Sequence, residues 1–174
     1  IWLSDVQLIG KKPALETTGV TKVVPLDELL DAGINTWTFH DGREFGAAKG
    51  GIDVVKDTPE PGQNTLRLWA DFTDNGRYVS GSMPFDQLQV KAIKEVRMKV
   101  KTDTVEEVTV RVGDATGQCH QKKGFTLDAD GEWTEVSVRP ETIAGGEHWG
   151  GANDGKLHSP AQYLALVVGK RDTD

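Results

Sequence analysis

Residues 65–72 have the sequence Thr-Leu-Arg-Leu-Trp-Ala-Asp-Phe, in which Leu, Leu, Ala and Phe occupy every second position. A β-strand sends successive side chains to opposite faces, so this alternation predicts a half-buried strand. The face predicted to enter the core carries Leu66, Leu68, Ala70 and Phe72. The opposite face carries Arg67, Trp69 and Asp71, so we expect the Trp69 ring to lie among polar side chains rather than in the core.

The same alternation recurs along the chain in short runs separated by Gly, Asp, Asn and Pro. Runs spaced about ten residues apart are typical of antiparallel strands and not of βαβ units. The candidate strands are residues 2–9, 35–40, 51–56, 65–73, 77–83, 93–102, 107–114, 118–127, 133–139 and 162–170. We therefore predict an all-β fold, an antiparallel β-sandwich of jelly-roll type with at most one or two short helices.

The best candidate for a helix is residues 26–32, which follow Pro25 and end before Gly33, two residues that favour helix boundaries. Residues 11–22 carry the weakest pattern and are predicted to form a surface connection. No internal repeat or low-complexity linker divides the sequence.

The length of 174 residues fits one domain of ordinary size. We predict a single module over residues 1–174, with an N-terminal strand and short helix in residues 1–33 and the main sandwich in residues 34–174. Because the chain begins directly on a strand pattern, we expect it to be excised from a larger multidomain protein.

The charge balance argues against two classes of partner. The chain has 20 Lys and Arg residues against 27 Asp and Glu residues, a net charge of -7. A negative surface repels phosphate groups, so neither nucleic acid nor an anionic membrane is an expected partner. No apolar run approaches the ~18 residues of a membrane-spanning helix, and no signal-peptide pattern is present. The single cysteine, Cys119, is expected to be a buried apolar residue rather than a nucleophile.

Five motifs, taken in their order along the chain, resemble a known family. They are Trp37-Thr-Phe-His-Asp-Gly, Leu66-Arg-Leu-Trp-Ala-Asp-Phe, Gly76-Arg-Tyr-Val, Arg111-Val-Gly-Asp-Ala-Thr-Gly-Gln and Gly131-Glu-Trp-Thr-Glu-Val-Ser-Val. The series is similar to the galactose-binding-like jelly roll of many carbohydrate-binding modules, over roughly residues 35–170. The resemblance implies a secreted or extracellular, non-catalytic domain that binds a polysaccharide or oligosaccharide and is tethered to a glycoside hydrolase or polysaccharide lyase.

The first strand departs from that pattern. Residues 2–9 resemble the strand that usually ends such a module, where an aspartate often helps to hold a structural calcium ion. Here the strand begins the chain, so it is either the tail of a preceding module or the closing strand of this one. No cofactor is required, but a calcium ion held by Asp5 and Asp41, with Glu44 as a further candidate, is expected from these oxygen ligands. The four histidines have none of the spacings that zinc sites favour.

Sugar binding needs flat aromatic faces and planar hydrogen-bonding groups. Trp69 with Arg67 and Asp71 supplies both on one strand, although Trp69 could instead cover the sheet under a loop. If the strands pair as in the jelly roll, one cleft would gather all the candidate ligand-binding residues. They are Trp69, Arg67, Asp71, Tyr78, Arg111, Gln118 and His120.

The remaining aromatic residues receive different predictions. Trp37, Phe39 and Trp133 are expected in the core because their strands carry inward-facing apolar neighbours. Trp149 lies in a Gly-rich loop, and we expect it to tuck inward as a plug. A position at the sandwich edge beside His148 is the alternative.

The sequence contains no recognisable catalytic constellation. Adjacent Glu106 and Glu107 would point to opposite faces of a strand, and no other carboxylate pair suits glycoside hydrolysis. No serine nucleophile elbow or phosphate-binding loop is present. We therefore expect a non-catalytic carbohydrate-binding module. Two alternatives stay open: a small jelly-roll polysaccharide lyase using Tyr78, Arg111, Gln118 and His120, and a structural or protein-interaction β-sandwich.

Overall fold

A computed structural model describes residues 1–11, 21–25, 37–56, 64–85 and 91–170. Twelve strands lie within these ranges: β1 Trp2–Lys11, β2 Thr21–Pro25, β3 Thr38–His40, β4 Lys49–Lys56, β5 Asn64–Asp71, β6 Tyr78–Pro84, β7 Lys91–Lys101, β8 Glu107–Gly113, β9 Cys119–Thr126, β10 Trp133–Val138, β11 Glu147–Trp149 and β12 Tyr163–Gly169. A 3-10 turn spans Arg43–Phe45, and a short helix, α1, spans Pro140–Ile143. No helix in these ranges is long and apolar enough to cross a membrane.

The strands form two antiparallel six-stranded sheets. The first sheet has the order β10-β7-β1-β5-β4, with β2 paired to β1, and the second has the order β11-β9-β8-β12-β6-β3. Buried side chains from both sheets form one hydrophobic cluster. The predicted all-β antiparallel sandwich is confirmed.

Each of the ten predicted strands has a counterpart in the structure, and two further strands were missed. β2 begins at Thr21, inside the segment predicted to be a surface connection, and pairs with β1 from Thr21 opposite Lys11 to Pro25 opposite Gln7. β11 has three residues, too few for alternation to be recognised. The helix predicted over residues 26–32 lies outside the described residues.

The first strand lies inside the first sheet. β1 pairs with β7 along most of its length and with β5 through Trp2 and Leu3. Leu3 and Val6 are 1% and 2% exposed and belong to the core. The strand that begins the chain is therefore an internal part of this sandwich.

Burial follows the predicted faces on β5 and β8. Leu66 and Leu68 are 1% and 2% exposed, whereas Trp69 is 43% exposed. On β8, Val110 and Val112 are fully buried. Burial of one such side chain stabilises the folded state by about 1.5–3 kcal/mol. The apolar face of each strand therefore turns inward and the polar face turns outward.

The predictions that Trp37, Phe39 and Trp133 lie in the core had different outcomes. Trp37 is buried, as predicted, and Phe39 is half-buried against the core. Trp133 was wrongly assigned to the core: it is half-buried and lies opposite Lys101 on β7. Strand alternation places it on the other face of β10 from Val138, which is the residue that enters the core.

Candidate functional site

The outer face of the second sheet is set by the register of its strands. Val110 and Val112 point into the core, so Arg111 between them points outward. Pairing carries this orientation to the neighbouring strands and produces one row across the sheet. The row comprises Gln121, Arg111, Ala165, Ser82 and Thr38.

A cleft of about 1050 Å³ lies on this face. Small side chains of Ser80, Ser82 and Ala165 line its middle. At one edge of the sheet, β11 contributes Trp149, and at the other edge the 3-10 turn after β3 contributes Phe45. The cleft is therefore open to solvent, with aromatic walls and a floor of small residues.

Arg111 lies between two aromatic rings. Its guanidinium carbon is 4.9 Å from the centre of the Tyr78 ring and 5.4 Å from the centre of the Trp149 ring. Its Nε donates a hydrogen bond of 2.7 Å to Oε1 of Gln121. Cation–π contacts of this kind contribute about 0.5–2 kcal/mol each, so Arg111 holds both rings in fixed positions.

Two carboxylates lie beside this arginine. The Tyr78 hydroxyl donates a hydrogen bond to Glu44, and this bond holds the pKa of Glu44 below its usual value, with a smaller contribution from the Arg111 charge. Glu147 accepts hydrogen bonds from Lys123, at 2.9 Å, and from Gln121. These bonds lower the pKa of Glu147, and Arg111 adds to the effect. Both carboxylates are therefore ionised at neutral pH.

Tyr163 also lines the cleft. Its ring lies directly over Gly113, where an added Cβ would be 1.9 Å from a ring carbon. Cys119 lies next to it and is 6% exposed, as predicted for a buried cysteine. Burial raises the pKa of the Cys119 thiol and of the Tyr163 phenol, so both groups stay protonated at neutral pH.

Trp149 does not plug the interior. It is 44% exposed, and β11 pairs with β9 so that Trp149 lies opposite Cys119. The prediction of a plug is wrong because a Gly-rich loop has no apolar alternation from which a facing direction follows. Trp149 forms a wall of the cleft instead.

Two predicted ligand-binding residues face the core. Gln118 and His120 are both fully buried, and His120 pairs with Val112 rather than with Arg111. The expectation that they share a face with Arg111 is therefore wrong. Both contact Asp114: the Gln118 backbone N–H donates to Oδ1 at 3.1 Å, and His120 Nε2 lies 3.3 Å from Oδ2.

Asp114 is the centre of a buried polar network. Its carboxylate accepts hydrogen bonds from the Thr116 backbone N–H at 2.9 Å, the Thr116 hydroxyl at 2.7 Å and the His158 backbone N–H at 3.1 Å. Burial alone would raise the pKa of Asp114, but these bonds hold it well below its usual range. Gln118 Nε2 also donates to the Lys156 carbonyl at 2.9 Å. The network anchors the loop that follows β11.

The Trp69 group lies on the opposite side of the molecule from the cleft. β5 is in the first sheet, whereas Tyr78 and Arg111 are in the second. The expectation of a single cleft that gathers all seven residues is therefore wrong. A ligand at Trp69 and a ligand at Arg111 would occupy separate surfaces.

The polar partners expected for Trp69 are engaged locally. Arg67 Nη2 donates to Asp53 at 2.7 Å, and Asp71 accepts hydrogen bonds from the backbone N–H and hydroxyl of Thr73. The indole of Trp69 lies over Gly51, where an added Cβ would be 3.1 Å from Nε1. Trp69 thus has an exposed face, but its neighbours already have hydrogen-bond partners.

The calcium site remains a prediction. Asp41 accepts a hydrogen bond of 3.2 Å from Arg43 Nε, and the side chain of Asp5 lies outside the described part of the structure. Among the described residues, no three His, Cys, Asp or Glu side chains form a group that could hold a metal ion. Melting curves in EDTA and then in excess calcium would test the site.

Sequence reasoning identified Arg111 and Tyr78 in the cleft but missed Gln121 and Tyr163, which line it, and Glu147, which holds Gln121. Alternation marked Arg111 as outward-facing, and the register of β8 with β9 would have added Gln121. That register depends on long-range pairing and leaves no local signal.

The sequence matches no family model and no curated protein, so the function of the cleft follows from its own chemistry.

Proposed function

We propose that this chain is a non-catalytic carbohydrate-binding module whose site is the cleft on the outer face of the second sheet. The observation that carries the proposal is the pair of aromatic rings, Tyr78 and Trp149, fixed on either side of Arg111. The resemblance to galactose-binding-like jelly rolls points in the same direction.

The chemistry of the cleft suits a sugar. A pyranose ring has apolar C–H faces that pack on aromatic rings, and its hydroxyls both donate and accept hydrogen bonds. The cleft offers an acceptor in Glu44 and donors in Arg111. Ser80 and Ser82 can do either. A volume of about 1050 Å³ gives room for more than one sugar unit.

The cleft is also pre-organised. Arg111 is held by Gln121, Gln121 by Glu147, and Glu147 by Lys123. Binding groups that are already fixed lose less conformational entropy when a ligand arrives. A shallow, open site can therefore bind a flexible polysaccharide without reordering its own side chains.

The proposed role is to attach a tethered glycoside hydrolase or polysaccharide lyase to its substrate. Once the module has bound a glycan, the tethered enzyme meets that glycan intramolecularly, which raises the effective concentration of the glycan near the enzyme. A polysaccharide substrate of this kind would be met outside the cell, so we propose a secreted or extracellular location.

The two alternatives have narrower support. A lyase using Tyr78, Arg111, Gln118 and His120 would need all four side chains at one substrate, but Gln118 and His120 are fully buried, His120 on the core side of β9. A protein-interaction domain is favoured by one observation, the exposed Trp69 on the first sheet. Such a domain would show no glycan binding.

Affinity electrophoresis in gels cast with different polysaccharides tests the proposal. Arg111→Ala removes the side chain that holds the two rings. Arg97→Ala is the matched control, because Arg97 lies on β7 of the first sheet and pairs with Glu95. Both variants lose one positive charge, so their mobilities without glycan should be equal.

We expect at least one polysaccharide to retard the wild-type protein and Arg97→Ala but not Arg111→Ala, with all three melting at similar temperatures. Retardation of Arg111→Ala equal to that of the wild type would contradict the site. The absence of retardation by every polysaccharide would contradict the function.

A further inference from the structure

We infer that the cleft selects uncharged polysaccharides over those carrying uronate or sulfate groups. The inference rests on the proposed function and adds the substrate class. It comes from the balance of charge around Arg111. Among the described residues, Arg111 is the cation whose guanidinium lies between the rings of Tyr78 and Trp149.

The cations around the cleft already have carboxylate neighbours. Arg43 Nε lies 3.2 Å from Asp41, and Lys123 Nζ lies 2.9 Å from Glu147. Neither side chain offers an uncompensated positive charge to a ligand. Among the described Lys and Arg residues that line the cleft, Arg111 is therefore the one with no carboxylate salt bridge, and it is the favoured partner for an anionic sugar.

Arg111 is itself flanked by negative charge. Glu44 accepts a hydrogen bond from Tyr78, whose ring centre lies 4.9 Å from the guanidinium carbon. Glu147 accepts a hydrogen bond from Gln121, which in turn accepts one from Arg111 Nε. A uronate or sulfate at Arg111 would be repelled by these two groups. A neutral sugar would meet no such repulsion.

The hydrogen-bonding groups of Arg111 are also partly occupied. Its Nε donates to Gln121, so the side-on fork that uses Nε to grip a carboxylate is already engaged. The ring centres of Tyr78 and Trp149 lie 4.9 and 5.4 Å from the guanidinium carbon, and the Tyr78 hydroxyl is a further hydrogen-bond partner of Arg111. The end-on pair of terminal nitrogens is left as the one bidentate geometry open to a carboxylate, whereas a sugar hydroxyl needs a single N–H donor.

Donor and acceptor chemistry leads to the same conclusion. Glu44 and Glu147 are ionised and can only accept hydrogen bonds. A sugar hydroxyl can donate to Glu44, which lines the cleft, while accepting from Arg111, whereas an ionised uronate or sulfate group can only accept. The cleft therefore matches hydroxyl groups and mismatches anionic groups at the same positions.

The test compares polymers that share a backbone and differ in charge. Dissociation constants would be measured by calorimetry for hydroxyethylcellulose against carboxymethylcellulose, and for desulfated carrageenan oligosaccharides against the parent carrageenan oligosaccharides, at low and high sodium chloride. We expect the neutral member of at least one pair to bind about tenfold more tightly or better, with an affinity that salt does not change.

A charge variant makes the test specific to this cleft. Glu147→Gln removes a negative charge beside Arg111, and we expect it to bring the affinity for the anionic polymer several-fold closer to that for the neutral one. Glu135→Gln is the matched control, since Glu135 is exposed on β10 of the first sheet. It should leave the ratio of the affinities for the neutral and the anionic polymer unchanged.

The possible failures separate the two claims. Tighter, salt-sensitive binding of the anionic members would overturn the inference and leave the carbohydrate-binding function standing. An equal effect of Glu147→Gln and Glu135→Gln on the ratio would also overturn it. No binding of any polymer would overturn the proposed function together with the inference.

Discussion

Replacing Asp114 by asparagine should lower the free energy of unfolding by about 3–5 kcal/mol. Oδ1 of Asp114 accepts three hydrogen bonds, from the Thr116 N–H, the Thr116 hydroxyl and the Gln118 N–H. Oδ2 accepts the His158 N–H at 3.1 Å and lies 3.3 Å from His120 Nε2. Gln118 Nε2 also donates to Oδ2, at 3.4 Å, so an amide nitrogen at that position would face the N–H groups of His158 and Gln118 with a donor of its own.

The magnitude follows from these contacts. The His158 N–H would lose its acceptor in a buried site, which costs about 1–3 kcal/mol. The three bonds to Oδ1 would change from charged to neutral, at about 1 kcal/mol each. A smaller desolvation penalty for the amide offsets part of this loss, which leaves the estimate of about 3–5 kcal/mol.

Urea unfolding of the wild type, Asp114→Asn and a control variant measures this difference. Asp130→Asn is the control, because Asp130 is exposed and accepts one hydrogen bond, from the Glu132 N–H at 2.9 Å. We expect it to cost no more than about 1 kcal/mol. If the two substitutions lower the free energy of unfolding equally, the buried network stabilises the fold no more than an exposed hydrogen bond does, and the reasoning is refuted.

The Asp114 carboxylate also predicts how the free energy of unfolding changes at acidic pH. The pKa of Asp114 is lower in the folded state than the usual value of about 3.9, so the folded state binds fewer protons near that pH. Its contribution is present above about pH 4 and is lost as the pH falls through the folded-state pKa. The wild type should therefore lose stability below about pH 4 more steeply than Asp114→Asn.

Three further outcomes are expected. Gly113→Ala should displace the Tyr163 ring, lower the free energy of unfolding by about 1–3 kcal/mol in a melting experiment and weaken glycan binding. Gly169→Ala, whose Cβ would be 3.9 Å from its nearest neighbour, should change neither the stability nor the binding. Tyr78→Phe should raise the pKa of Glu44 in an NMR titration, because the Tyr78 hydroxyl is the main cause of the lowered value; an unchanged pKa would contradict the assigned hydrogen bond. The isolated chain should release neither reducing sugar nor unsaturated product from any polysaccharide that it binds, and turnover abolished by one substitution would show that it is an enzyme.

The sequence predicted well whatever depends on alternation within one strand. Leu66 and Leu68 are buried and Trp69 is exposed because neighbouring side chains of a strand point to opposite faces. The same rule placed Arg111 outward on β8. These assignments needed no knowledge of which strands pair.

What the sequence did not predict depends on contacts between distant segments. Trp69 and Arg111 lie on different sheets, and no local pattern says which sheet a strand joins. Residues 118–121 are Gln-Cys-His-Gln, which gives no apolar alternation to assign a face. Gln118 and His120 are buried because Asp114 and, for Gln118, the carbonyl of Lys156, 38 residues away, supply polar partners inside the protein.

The central claim is that glycan binds in the cleft of the second sheet, and two tryptophans of equal exposure allow a direct test. Trp149 in the cleft is 44% exposed, and Trp69 on the opposite sheet is 43% exposed. Calorimetry with the polysaccharide that retards the wild type would be run on Trp149→Ala and Trp69→Ala. We predict that Trp149→Ala loses more than about tenfold in affinity, about 1.4 kcal/mol or more, at an unchanged melting temperature, while Trp69→Ala binds as the wild type does. Loss of binding in Trp69→Ala with full binding in Trp149→Ala would contradict the claim and place the site on the first sheet.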